Sequence, residues 1–170
     1  IPAILRPGVG LVISPLIALM QDQVAALRSA GVAAARLDST IQSEARRQTL
    51  NAAHEGKLDL LYVSPEGLFA HGFLDFLETC PIALIAIDEA HCVSQWGHDF
   101  RPDYRALGQL ADRFAGVPRM AVTATADLKT QADIRTQLRL DHAKSFIASF
   151  DRPNLVLGAE RKGSKSQDRI

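Results

Sequence analysis

A chain of 170 residues, 47% hydrophobic and 22% charged, has the size and composition of one globular domain and can bury roughly 70% of the surface it exposes when unfolded. Its 19 basic and 19 acidic side chains cancel, which excludes a binder that draws polyanions by bulk charge; nucleic-acid affinity would have to come from a local patch. Two cysteines, Cys80 and Cys92, exclude a disulfide scaffold, and no apolar run approaches a membrane span, so the segment is expected to be neither anchored nor exported.

In chain order, residues 1–9 are broken by Pro and Gly, and residues 10–14 form a short apolar run closed by Pro15, the pattern of a buried strand. From there Leu16, Leu19, Met20, Val24 and Leu27 recur at helical spacing until Gly31, a C-terminal cap. Residues 32–37 predict a second strand, and Ser39-Thr40 offers a capping hydroxyl to an Ala-rich helix over residues 42–55. Residues 59–63 predict a third strand, turning at Ser64-Pro65 into helix, in one or two pieces, that carries Leu68, Phe69, Phe73, Phe76 and Leu77. Residues 82–87, Ile-Ala-Leu-Ile-Ala-Ile, have the continuous apolar character of a strand buried on both faces of a parallel sheet. After an irregular loop, Tyr104, Leu107, Leu110, Ala111 and Phe114 mark a helix that ends by Gly116 and Pro118. Residues 119–123 predict a fifth strand, Asp127 opens a helix with Leu128, Ile134 and Leu138, and residues 145–148 are a candidate sixth strand. Strands alternating with helices predict an α/β domain with a mostly parallel sheet over residues 1–150. Residues 151–170, beginning Asp151-Arg152-Pro153-Asn154 and continuing into Gly, Ser, Lys and Arg, read as a linker or tail.

Chemistry concentrates after the fourth strand. Asp88 and Glu89 fall at the carboxyl end of a strand, where open α/β sheets place their ligands, so a metal ion and a phosphate fit there. In that reading Asp88 holds Mg²⁺, directly or through water, and Glu89 orients and deprotonates an attacking water. Two acids alone fit helix capping or plain solvation at least as well. The loop from His91 to Tyr104 then crowds Gln95, Trp96, His98, Phe100 and Arg101 around Gly97 and Pro102, where regular structure is disfavoured. Exposed aromatics beside a guanidinium form a stacking platform for unpaired bases, worth about 1–3 kcal/mol per base. Tyr104, and Phe100 with it, equally suit a place in the core. Cys92 with His91 and His98 lacks a Cys-x-x-Cys partner, so no zinc is expected.

Asp88-Glu89-Ala90-His91 resembles the Walker B string of superfamily 2 helicases, and residues 91–104 resemble the aromatic-rich loop of RecQ-type DNA helicases. Residues 11–24, with Ser14-Pro15 and Gln21-Asp22-Gln23, are similar to that family's motif Ia, residues 60–68 to motif Ib, and residues 120–126, with Thr123-Ala124-Thr125, to motif III. The resemblance covers nearly all of residues 1–157. It implies a three-layer RecA-like lobe over residues 1–150, lacking its first strand and phosphate loop, with the junction to a second RecA-like lobe at residues 151–154. By the same resemblance ATP and Mg²⁺ are the ligands, with Asp88, Glu89 and His91 catalytic, Asp88 on the metal, and Thr123, Ala124 and Thr125 coupling. Ser14 and the helix start after it would face the DNA backbone, where unpaired N–H groups attract phosphate. Gln95, Trp96, His98, Phe100 and Arg101 would meet the bases.

The chain departs from the family pattern in two places. Gly67 stands where an Arg usually follows Pro-Glu, so a guanidinium is absent there. No Gly-x-x-x-x-Gly-Lys-Ser/Thr phosphate loop occurs; Gly56-Lys57 is followed by Leu58 and has Asn51 where the first Gly would stand. In the family that loop lies just before the Ile-Pro-Ala with which this sequence starts, so the chain is expected to be a piece of a longer protein, inactive by itself. The implied parent is a cytoplasmic, nucleoid-associated bacterial ATP-dependent DNA helicase of repair and recombination that moves along single-stranded DNA and opens partially duplex DNA. Two alternatives stay open: a non-catalytic lobe that binds DNA or protein, and a metal hydrolase using Asp88, His91 and His98.

Overall fold

Val9, Leu11 and Ile13 lose all contact with solvent, and the strand that carries them, β1 (Val9–Ile13), is the middle of the sheet. The computed structural model of the chain describes residues 1–96 and 99–148 together with Asn154 and Gly158. Five parallel strands, β1, β2 (Ala34–Leu37), β3 (Leu60–Val63), β4 (Ile82–Ile87) and β5 (Arg119–Ala121), line up in the order β2-β3-β1-β4-β5. The helices between them are α1 (Ile17–Ser29), α2 (Ser43–His54), α3 (Pro65–Leu68), α4 (Phe73–Glu78), α5 (Pro102–Ala106) and α6 (Leu110–Arg113), with α7 (Leu128–Gln137) after β5. Gly31, at φ +82°, follows α1 in the left-handed conformation that its missing Cβ permits, as its position in the sequence predicts. Among the described residues no helix is long and apolar enough to cross a membrane.

The sheet has two unlike faces. Helix α1 sets Met20 and Val24 against Ala34 and Tyr62, with Val12 and Leu60 at the margin. On the other face Leu68, Phe73, Leu77, Leu107, Leu110, Ile134 and Leu138 meet Leu11, Leu37, Leu61, Ile85 and Ile87 in one continuous core. β1, β2 and β3 therefore feed the two cores with alternate side chains.

Several sequence expectations need correction. β4 is buried on one face only: Ala83, Ile85 and Ile87 are covered, whereas Ile82, Leu84 and Ala86 are half-exposed, because α1 packs over the β2 and β3 half of its face. Residues 145–148 form no sixth strand; they run as exposed irregular chain, with Phe146 90% exposed, beside a trough of about 640 Å³ along β5 and α7. Thr40 does not cap α2. Its N–H and hydroxyl both bond Asp38, and the cap position falls on Gln42 with no side-chain bond. The helix expected around Leu107 is interrupted by a 3₁₀ turn at Leu107–Gln109. The interlobe junction expected at residues 151–154 and the tail beyond it lie, apart from the exposed Asn154 and Gly158, outside the described residues.

Strand order locates the site. From β1 the chain leaves across the α1 face toward β2, while from β4 it leaves through α5 and α6 on the opposite face toward β5. Adjacent strands whose connections depart to opposite faces open a crevice at their carboxyl ends, the switch point where α/β sheets bind ligands. The residues that follow β1 and β4 are Ser14-Pro15 and Asp88-Glu89.

Candidate functional site

The crevice is held shut at its base by main-chain bonds and lined above by charged side chains. Asp88 N–H continues the ladder to the Ile13 carbonyl at 2.8 Å, Ser14 N–H reaches the Val63 carbonyl at 3.1 Å, and Val122 N–H reaches Ile87 at 2.9 Å. Asp88 Oδ1 accepts from the Glu89 N–H at 2.9 Å, and Oδ2 accepts from Ser14 Oγ at 3.4 Å. Ser14 is fully buried, so the DNA-backbone contact expected of its side chain is not met here; burial turns the hydroxyl onto the acid, which it orients.

Glu89 takes φ +47°, a left-handed conformation costly for any residue with a Cβ, and from it the chain enters a 3₁₀ turn at Ala90–Val93. The reversal points the Glu89 carboxylate back at His91, whose Nδ1 lies 3.3 Å from Glu89 Oε2 and 2.8 Å from Thr123 Oγ1. Thr123 directs its one hydroxyl proton to the Thr125 carbonyl at 3.1 Å and accepts from the Thr125 N–H at 3.3 Å. With that proton committed, the bond to Thr123 makes His91 Nδ1 the donor. Glu89, His91, Thr123 and Thr125 are thus one polar chain spanning the ends of β4 and β5. Ala124 lies in its turn, exposed and without a polar side chain.

On the other side His91 Nε2 lies 3.8 Å from Asp99 Oδ2, and Arg101 Nη1 donates to the Pro15 carbonyl at 3.4 Å. Pro15, Leu16, Glu89, His91, Cys92, Asp99 and Arg101 enclose a hollow of about 180 Å³. That is below the roughly 300 Å³ at which ligand pockets begin, so it admits waters or a phosphate group rather than a nucleotide. Asp88 is half-exposed and offers one carboxylate, an oxygen donor of the kind Mg²⁺ takes while keeping several waters and sharing phosphate oxygens. Asp88 is the one carboxylate this arrangement offers a metal: among the described residues no group of three or more His, Cys, Asp or Glu is placed to hold one, and no phosphate-loop string stands among the 170 to cradle the nucleotide.

Of the residues assigned to bases, Gln95 is exposed, Trp96 is 66% exposed, and Phe100 is half-buried under the Arg105 guanidinium, 5.9 Å from its ring centroid. Arg101 is half-buried, and His98 lies outside the described residues. Cys92 is buried, which pushes its thiol up and leaves it a protonated core side chain at neutral pH.

Sequence reading missed three contributors. Tyr104 was legible as core by its spacing, but its hydroxyl also donates to the Asp88 carbonyl at 2.9 Å, and burial pushes its pKa far above the usual tyrosine range. Asp133 accepts from the fully buried Ser94 hydroxyl at 2.6 Å, and Lys129 covers the Trp96 ring. The only sequence trace of the last two is their i, i+4 spacing on one helix.

A family model described as DEAD/DEAH box helicase matches residues 1–134. The chain is 49% identical over 162 residues to the ATP-dependent DNA helicase RecQ of Haemophilus influenzae, which covers 95% of this chain and 26% of that protein. It is 48% identical over 155 residues to the ATP-dependent DNA helicase RecQ of Pasteurella multocida, 91% of this chain and 24% of that one. This chain therefore spans about a quarter of the length of the curated relatives it matches. Among solved structures it is similar to the helicase domain of Pyrococcus furiosus Hef, with TM-score 0.57 and 14% identity over 81% of this chain and 28% of that chain. At such identity the likeness concerns the fold, a RecA-like parallel α/β layer structure. The chain belongs to the DEAD/DEAH box helicase family and, along most of its length, is of the RecQ type.

Proposed function

We propose that this chain is the part of an ATP-dependent DNA helicase that holds the hydrolytic water and senses unpaired DNA. In the whole protein it serves translocation along single-stranded DNA and duplex unwinding in repair and recombination, at the bacterial nucleoid, together with a second RecA-like lobe. The supporting observation is that both functions leave one 3₁₀ turn: Glu89 and His91 enter it beside Asp88, and the loop with exposed Trp96 departs from its end.

The chemistry assigned to each residue follows from its partners. Glu89, half-exposed above the hollow, aligns a water and takes its proton as the water attacks. His91 donates from Nδ1 and is shared between Glu89 and Thr123, so it sets the angle of the carboxylate and ties it to the turn after β5. Asp88, oriented by the Ser14 hydroxyl, would hold Mg²⁺, which when bound supplies charge neutralisation at phosphate oxygens. A base drawn onto Trp96 pulls on Ser94 and Val93, the end of the turn that positions His91, and so changes the aim of Glu89.

The second reading, a binding module without hydrolysis, rests on the missing phosphate-loop string. A chimera separates the two. Residues 1–148 replace the matching stretch of the Haemophilus influenzae relative, and ATP hydrolysis is measured with and without single-stranded DNA. Hydrolysis stimulated by DNA is expected, and Glu89→Gln should lower it roughly 100-fold or more while nucleotide still binds. A folded chimera that hydrolyses nothing, or a Glu89→Gln variant as fast as its parent, overturns the motor reading.

A further inference from the structure

Helix α7 follows the Thr123–Thr125 turn directly, capped by Asp127, whose carboxylate accepts from the Thr130 N–H at 2.7 Å. One turn apart on this helix stand Lys129 and Asp133, and both reach across to the aromatic loop. Asp133 Oδ2 accepts from Ser94 Oγ at 2.6 Å, and the same Ser94 oxygen accepts from the Trp96 N–H at 3.3 Å. The Lys129 ammonium lies 3.2 Å from the centroid of the Trp96 ring. That contact joins an exposed cation to an exposed indole, and none of the ion pairs among the described residues involves Lys129.

We propose that Lys129 is a strand-binding residue: in the free chain its ammonium occupies the face of Trp96 that a base takes, and on binding it passes to a phosphate of that strand. The inference rests on Trp96 being a base-stacking residue, as argued under Proposed function. An ammonium over an exposed indole is held more weakly than a stacked base, so the base displaces it. The displaced charge stays on a flexible stem rooted at the start of α7, beside the same nucleotide's backbone, and a phosphate is the anion within reach. The bond from Ser94 to Asp133 makes α7 follow the loop when a base pulls on it, so the two stay in register while Lys129 changes partner. In a chain with no net charge, this supplies the local cation that bulk composition does not.

The test uses the 170-residue chain, in which Trp96 is the sole tryptophan and its emission reports on the ring directly. A short oligothymidylate is titrated into the chain, Lys129→Met and Lys129→Arg over a range of salt concentrations. An ammonium against indole quenches its emission, so Lys129→Met should be brighter than the parent before any oligonucleotide is added. Its affinity at low salt should fall roughly three- to tenfold, and the slope of log affinity against log salt should become shallower by about 0.7, one phosphate's share on a single strand. Lys129→Arg should restore both. An unchanged slope in Lys129→Met, or tighter binding at the parent's slope, overturns the transfer and leaves base stacking on Trp96 standing. Emission that responds to no oligonucleotide in any of the three chains overturns both together.

Discussion

Glu89 carries the cost of the site in its own backbone. A left-handed φ of +47° at a residue with a Cβ costs about 1–2 kcal/mol, and the conformation persists because Ala90 N–H is tied to the Val122 carbonyl at 3.0 Å and His91 to Thr123. The strain aims the carboxylate back over the end of β4 instead of along it. Removing the carboxylate in two ways separates strain from chemistry. Glu89→Ala keeps the Cβ and the strain, whereas Glu89→Gly removes both, so the Gly variant should be the more stable by about 1 kcal/mol after its extra chain entropy is counted. Denaturant unfolding midpoints at a common slope measure the difference, and an Ala variant as stable as the Gly variant would show that no strain is held there. Ser14 makes the same point about direction: its residue type suits phosphate, but complete burial sends its hydroxyl to Asp88.

Among the elements, the seam between the 3₁₀ turn at Leu107–Gln109 and the end of α7 sets where Lys129 and Asp133 stand. Gly108 lies against this seam, and a Cβ built on it would come 2.4 Å from the Gln137 carbonyl oxygen. No left-handed φ is required of Gly108; it is there because backbone passes backbone. Gly108→Ala should therefore push the end of α7 outward and cost about 1–3 kcal/mol, as overpacking does when the opposing atom belongs to the main chain. Thermal unfolding reads the loss, and an unchanged midpoint would mean that α7 is not seated as described. The same helix joins the polar turn at Thr123–Thr125 to the aromatic loop, so its seating affects both halves of the site.

At the scale of the molecule, function follows from strand order. Placing β1 between β3 and β4 puts Ser14 and Asp88 side by side although they are 74 residues apart, and sends their outgoing chains to opposite faces. The hollow beyond these strand ends, about 180 Å³, is too small for a nucleotide. The purified chain, without a phosphate loop in its 170 residues, is therefore expected to turn over no ATP, with or without single-stranded DNA. Phosphate release by this chain that DNA stimulates and Glu89→Gln abolishes would refute that expectation.

Much of this was legible in the amino-acid order alone. Short apolar runs bounded by Pro and Gly, and apolar stripes at helical spacing, are local patterns, and the five strands, the helix start at Asp127 and the helix end before Gly31 follow from them. The Asp-Glu-Ala-His string and the aromatic loop are local as well, so the family could be read before any coordinate. What one chain segment does to another was not legible. Tertiary structure alone decided that Ser14 faces Asp88, that β4 is covered on one side, that residues 145–148 do not pair, and that Lys129 and Asp133 meet the aromatic loop. The physical reason is that local periodicity records which side chains avoid water, whereas the partner each polar group finds depends on strand order and on which helix covers which face.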